Sequence, residues 1–375
     1  MHKFLVINPG STSTKLAVYE DDKAVFTENI VHDPESIGAF ENIVDQLPFR
    51  LQVVQEFLKE KDIDLSSYSA IMCRGGMVPN LRTGGYRVNE ELFYALGSDI
   101  SSPHASNLGG MLGKLLGDPV GVPAYIYDAV TAGELQPVAK ITGIPNITRQ
   151  SCCHVLNSRA MAMRYADQIG KKYEDLNLIV AHLGGGVSVS VHSRGTIIDS
   201  MGDDDGQFSP ERAGSVPCLE LVDMCYSGYF TRADMKKKIR GRGGMYAHLG
   251  TSDCREIEKM IAGGDEHAAL IFHAQAYQIA KGIGLLSIVN KGKNEAIILT
   301  GGVAFSKMMT DMITDYVSFI APVVIMPGEH EMDALAQGGL RIVTGAEEAK
   351  TYHLPPMPKK NKPDWLPDLS QIYGK

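Results

Sequence analysis

Apolar runs, alternating stretches and turns follow one another in the same order twice along this chain. Residues 4–7 are a continuous apolar run, Phe4, Leu5, Val6 and Ile7, as in a buried strand. The run breaks at Asn8, Pro9 and Gly10, a turn signal, and resumes over residues 15–19 as an alternating strand with Leu16 and Val18 on one face. A third strand is predicted over residues 24–30, after the polar turn Asp21, Asp22, Lys23. Residues 178–200 repeat the layout. An apolar strand meets the turn Gly184, Gly185, Gly186, then come an alternating strand (Val187, Val189, Val191), a polar turn and a third strand. The copies share layout more than sequence, which points to an internal duplication and two domains.

Between and after these units the pattern alternates helix and strand. Phe49, Val53 and Phe57 lie four apart in a helix over 49–61, with Pro48 in its first turn. A short strand over 69–72 runs into Cys73, Arg74, Gly75, Gly76, and helices are predicted over 89–96 and 105–116, with His104 just ahead of the second. The strand at 125–127 ends on Asp128, either a capping residue or a carboxylate where open α/β sheets place their chemistry. A helix over 154–169 and a polar joint at 171–175 lead into the second unit, and 201–215 is a long irregular segment carrying Arg212. Beyond it come a helix at 218–226, a basic cluster at 236–242 read as a solvated helix end, and a helix opened by Thr251, Ser252, Asp253. The long helix from 265 to 289 buries Phe272, Ala276, Ile279, Ile283 and Leu286. A strand at 296–299 runs into Thr300, Gly301, Gly302 and another helix, and a last strand at 321–326 precedes a helix ending near Arg341. From Leu354 on, five prolines and several lysines predict a loosely packed extended arm.

Three small-residue turns after strands are the first chemical clue. Ser11, Thr12 and Ser13 offer backbone N–H and hydroxyl donors to an anion, and Lys15 adds a positive charge. The turns at Gly184, Gly185, Gly186 and at Gly301, Gly302 let a charged or flat ligand reach the backbone. Two domains gripping one polyphosphate are therefore expected. Composition sharpens this. With 375 residues, 44% hydrophobic and 21% charged, the chain can build two cores. A net charge of -8 argues against general binding of nucleic acid or anionic membrane, so an anionic substrate would need a local basic site. The six cysteines, none in a C-x-x-C pair, read as reduced thiols of a cytoplasmic protein. No apolar run reaches membrane-spanning length.

The motifs resemble one family in order and content. NPGSTSTK (8–15) looks like the first signature of the acetokinase family, within the actin, hexokinase and Hsp70 superfamily, and AHLGGGVSV (181–189) resembles the second. CRGG (73–76), FSPERAGSVP (208–217), GTSDCREI (250–257), TGGVAF (300–305) and PGEHEMDALAQGG (327–339) fall in the family's order. RGG and FSPER resemble the butyrate kinase branch more closely than acetate kinase. The resemblance implies an α/β fold of two duplicated actin-like ATPase (ribonuclease H-like) domains with an interdomain cleft. Each would be a mixed five-stranded sheet flanked by helices, over 1–172, completed by 342–375, and over 173–341. It implies transfer of a phosphoryl group from ATP to a short-chain carboxylate, giving ADP and an acyl phosphate, reversibly and with Mg2+, in at least a homodimer.

Site roles follow from the resemblance position by position. Asn8 and Glu331 would hold the metal, and Ser11, Ser13 and Lys15 would lie along the phosphate path. Arg74 and Arg212 would clamp the carboxylate and the phosphoryl group, while His104, Asp128, His154 and His182 match active-site positions. Asp253 and Arg255 match residues near the nucleoside, and Gly301 and Gly302 the adenosine turn. The sequence departs from the family at Gln150, where a histidine is usual, and at Gly185, where an asparagine is usual. Gly75 and Gly76 stand where acetate kinases carry bulkier residues, consistent with a roomier acyl pocket.

The chemistry fits these residue types. A carboxylate is already ionised at neutral pH, so no general base is needed, and the difficulty is bringing one anion onto another. Arginine meets it with a bidentate fork. Within the family, acetate or propionate is the other acyl acceptor to weigh. A sugar or polyol kinase would instead need a placed base, for which Asp128 is the candidate. A nucleotide-gated binding module would need the turns but not the two arginines.

Overall fold

The computed structural model describes residues 1–202 and 204–354 and contains two mixed sheets. The first takes strands β1 (Lys3–Pro9), β2 (Ser13–Glu20), β3 (Lys23–Val31), β4 (Ala70–Arg74), β5 (Gly85–Arg87) and β6 (Ala124–Tyr127). The second takes β7 (Asn177–Leu183), β8 (Val187–Ser193), β9 (Thr196–Met201), β10 (Ala296–Gly301) and β11 (Val323–Pro327). The last strand, β12 (Lys350–Thr351), returns to the first sheet beside β5.

The duplication read from the sequence is visible as topology. One sheet runs β3-β2-β1-β4-β6 and the other β9-β8-β7-β10-β11, with hairpins among the first three and parallel pairing onward. The expected five strands are thus the shared core, and the first sheet is extended to seven by β5 and β12. Neither announces itself in the sequence. Each is only two or three residues long, too short for a period-2 pattern.

Two helices cross between the sheets and move the expected boundaries. Helix Val155–Gln168 precedes the polar joint near 172, yet it packs on β7 and β10 through Met161, Ala162 and Ala166. Helix Glu331–Val343 begins before 342, yet it packs on β1, β4 and β6 through Leu335 and Ala336. Each of these helices therefore packs on the sheet that the chain enters after it. The apolar face of a helix decides which sheet it covers, and the charge of a connecting loop does not. The helices also pack against each other, so they form the seam between the halves. The proline-rich arm expected beyond Leu354 lies outside the described residues.

Candidate active site

Parallel strands deliver their C-terminal ends to one edge, where open α/β sheets gather ligands. In the first half β1 ends on Asn8 and the hairpin, β4 on Arg74, and β6 on Tyr127, directly opposite Arg74 in register. In the second half β7 delivers His182 and the glycine turn, β10 delivers Thr300 and Gly301, and β11 delivers Gly328 and Glu329. Gly301 and Gly328 exchange backbone hydrogen bonds of 3.2 and 3.0 Å, which joins two of these ends.

The first hairpin is held from below by a residue that pattern reading passes over. Arg50 is 0% exposed. Its guanidinium donates to the carbonyls of Ser11 (3.1 Å) and Ser13 (3.0 Å), to Thr14 Oγ1 (3.1 Å) and to Gln46 Oε1 (2.9 Å). No carboxylate faces it among these partners, and burial pulls its pKa down. Ser11, Thr12 and Lys15 stay exposed above it. The amphipathic pattern of helix Leu47–Glu60 assigns Arg50 no role, because its partners are backbone atoms of a distant turn.

At the floor of the cleft lies a polar cluster. Glu331 opens its helix and receives Arg74 on one oxygen and Asn8 Nδ2 on the other, the latter at 2.8 Å. Burial would raise the Glu331 pKa, but Arg74 and the Asn8 hydrogen bond together hold it below the usual carboxylate range. Beside it, burial and the charge of Glu331 push the Glu329 carboxyl up, while Arg74 and Lys15 oppose the rise. The imidazoles of His154 and His182 stack with centroids 3.9 Å apart and planes 12° from parallel. Burial, then Arg212 and Arg74, push His154 down to about 3. Burial and His154 push His182 well below the ordinary range, and His104 is lowered by burial, Arg74, Arg240 and Arg212. Both arginines therefore bear on the same three imidazoles.

Arg212 reaches this cluster across the second glycine turn. A Cβ on Gly186 would lie 2.1 Å from Arg212 Nη1, so the guanidinium sits directly against this glycine and a side chain here would displace it. Ser209 Oγ donates to the Gly185 carbonyl at 2.6 Å and ties the Arg212 loop to that turn. A cleft of about 580 Å³ opens beside it, with Ser252, Asp253, Arg255 and Glu258 on one wall and Gly302 and Phe305 on the other. Asp253 caps its helix and pairs with Arg255 at 2.6 Å, and the space over Gly302 is open. Of the residues predicted for the nucleoside, Asp253, Arg255 and Gly302 line this cavity and Gly301 does not, and Glu258 and Phe305, which the sequence did not single out, line it as well.

Two expectations change. Asp128 is 2% exposed, and its carboxylate accepts the Gly84 N–H at 2.6 Å and Arg159 Nη1 at 3.1 Å on both oxygens. Tyr127, Glu347 and Arg341 complete this buried network, so Asp128 serves the joint between elements as the ion-pair partner of Arg159. The space beside Gly75 and Gly76 is not an open acyl pocket either. A Cβ on Gly75 would lie 2.5 Å from Ala129 Cα, and one on Gly76 2.5 Å from Asn107 Oδ1. These glycines let neighbouring segments close in. The open volume lies one residue on, in a cavity of about 770 Å³ whose walls include Met77, Ile100, Ile147, Arg149 and Gln150.

Comparison with known proteins bears on the whole chain. The acetokinase family profile matches residues 146–349. The chain is 47% identical over 353 residues to a protein of Caldanaerobacter subterraneus named probable butyrate kinase 2, covering 94% of this chain and all of that one. It is 45% identical over 352 residues to butyrate kinase 2 of Clostridium acetobutylicum, covering 93% and 99%. Among solved structures, Porphyromonas gingivalis acetate kinase superposes with a TM-score of 0.75 at 18% identity over 92% of this chain and 100% of that one. A propionate kinase from Francisella tularensis gives 0.74 at 17% identity, over 90% and 99%. At such identities the superpositions speak for the shared fold.

Proposed function

The chain belongs to the acetokinase family, and on that premise we propose that it is a butyrate kinase. It transfers the terminal phosphoryl group of ATP to the carboxylate of butanoate or a similar short acid, giving an acyl phosphate and ADP. The observation that carries the chemistry is the placing of two guanidinium groups at the turns, Arg74 paired with Glu331 at the end of β4 and Arg212 lying against Gly186 of the second glycine turn. The acyl preference rests on similarity along nearly the whole chain to proteins named butyrate kinases.

In this reading the substrate carboxylate takes Arg74 from Glu331, its partner in the cleft. A carboxylate oxygen attacks the terminal phosphorus, the bond to the ADP oxygen breaks, and ADP leaves with the electron pair. No proton moves to or from the nucleophile, because the acid is ionised at neutral pH. Arg212, over Gly186, would follow the charge on the transferred group, and the N–H groups around Ser11 and Gly184 would cradle the phosphates. The acyl chain would extend toward Met77 and Ile100.

Asn8 and Glu331 suit a Mg2+ that keeps most of its positions for phosphate and water. They offer hard oxygen donors, one of them a carboxylate held ionised. Among the described residues no three His, Cys, Asp or Glu side chains form a cage for a metal, so the protein would supply only part of the shell. The ion, when bound, neutralises charge on the β- and γ-phosphates.

Closure of the two sheet-centred halves would exclude water from this chemistry. A homo-oligomer of at least two chains in the cytoplasm is part of the same reading. Among the described residues no helix is long and apolar enough to cross a membrane.

The test is a hydroxamate trap for acyl phosphate with ATP, Mg2+ and acetate, propionate, butyrate or isobutyrate. We expect kcat/KM to rise toward the four-carbon acids, by about fourfold per buried methylene at ~0.8 kcal/mol each. A preference for acetate would overturn the acyl assignment, and absence of any hydroxamate would overturn the kinase.

A further inference from the structure

Asn157, in the first turn of the crossover helix Val155–Gln168, bonds to the ends of β7 and β10 and to the residue before Glu331, and belongs to none of the motifs above. It is 1% exposed. Its Oδ1 accepts the backbone N–H of His330 at 3.2 Å. A backbone N–H can only donate, so this contact decides which end of the amide is oxygen. The NH2 end then faces His182 Nδ1 at 3.0 Å and Thr300 Oγ1 at 3.2 Å. An amide NH2 only donates, so Nδ1 of His182 must be the accepting nitrogen and its proton sits on Nε2. That nitrogen faces the first glycine of the second turn: a Cβ on Gly184 would lie 3.1 Å from it.

We propose that Asn157 is a positioning residue that fixes the Nε2–H tautomer of His182 and ties it to the start of the Glu331 helix. His182 then offers an N–H to a phosphoryl oxygen at the turn without having to be charged. The same amide spans β7, β10 and the residue before Glu331, so it couples the orientation of the phosphate donor to that of the helix carrying the expected metal ligand. The inference rests on the kinase reading for its catalytic consequence and on hydrogen-bond chemistry alone for the tautomer.

The test separates those two parts. Long-range 1H–15N spectra of 15N-histidine-labelled protein report the tautomer of His182, assigned with His182→Gln. We expect Nε2–H in the wild type and a proton on Nδ1 in Asn157→Asp, whose carboxylate can only accept. Turnover of Asn157→Asp should fall about a hundredfold, the scale of one lost donor to a transferring group, with KM for ATP and butyrate within about threefold. Thr300→Val is the second variant. It removes the other acceptor of the amide, a hydroxyl that also donates to the Gly328 carbonyl, and it should keep the Nε2–H tautomer because the bond from Asn157 to His182 Nδ1 is untouched. Nδ1–H in the wild type, or unchanged turnover in a folded Asn157→Asp, overturns the proposal. Nε2–H in a protein that traps no acyl phosphate upholds the positioning of His182 and places the failure in the kinase reading.

Discussion

Arg74 and Glu331 form an ion pair at the floor of the cleft, although one closes a central strand and the other opens a helix near the chain's end. The pair keeps the guanidinium in place and the carboxylate ionised. It also gives Arg74 a partner that resembles the proposed substrate, so substrate binding becomes an exchange of one carboxylate for another.

Arg74→Ala should therefore cost chemistry far more than nucleotide binding. We expect kcat to fall about a thousandfold or more, ~4 kcal/mol at the transition state, with ATP affinity within a few-fold. Steady-state kinetics and calorimetric titration of ATP measure the two separately. Near-normal turnover would remove Arg74 from the mechanism.

Arg50 should act on ATP through the hairpin it supports. In Arg50→Met the carbonyls of Ser11 and Ser13 lose their donors in a buried setting. We expect a loss of about 2–4 kcal/mol in unfolding free energy, together with a raised KM for ATP. Arg50→Lys should recover little of either, since one ammonium cannot match the fork. Urea denaturation and ATP-dependent kinetics check both, and full recovery by lysine would mean that charge alone matters.

Gly75→Ala and Met77→Trp should separate packing from acyl selection. The added Cβ at 75 meets the Ala129 backbone, so we expect about 1–3 kcal/mol of destabilisation with the order of acyl substrates unchanged. Met77→Trp fills the neighbouring cavity and should lower kcat/KM for butyrate more than for acetate. The reverse pattern would move the acyl chain to the glycines.

Stability should decline as pH falls below about 6.5. His154 and His192 are both held down to about 3 from an ordinary 6.5, chiefly by burial, so the folded protein keeps them neutral. The unfolded chain takes up their protons below pH 6.5. The stability they contribute is complete above that value and is lost progressively toward pH 3, at about 1.4 kcal/mol per pH unit for each. His192 lies outside the cleft, bonded to Tyr173 and Ser190. His192→Gln should thus flatten the slope of unfolding free energy between pH 6.5 and 5 by one histidine's share. Identical slopes in wild type and variant would contradict the assignment.

Much of this is legible in the sequence. The strand–turn–strand pattern of residues 4–19 reappears as the antiparallel pair β1 and β2, with Leu16 and Val18 buried. Local repulsion from water along an alternating or continuous apolar run is enough to announce such elements. Small residues between them mark the turns proposed to hold phosphate, and Arg74 stands out by the two glycines that follow it. Asn157, Arg50 and the role of Asp128 were not legible in the same way. Each depends on a partner far along the chain: His330 for Asn157, Ser11 and Ser13 for Arg50, Arg159 for Asp128.

The sequence by itself determined the duplicated pattern, the order of most elements and the residue types able to hold anions, because these rest on nearest-neighbour periodicity and side-chain chemistry. Only the tertiary structure decided which sheet each crossover helix covers, that open volume remains beside Met77 and not over Gly75 and Gly76, and which polar groups answer one another when buried. Burial is the physical reason. Away from water every donor and acceptor must find its partner inside the protein, and that partner is set by how distant segments pack.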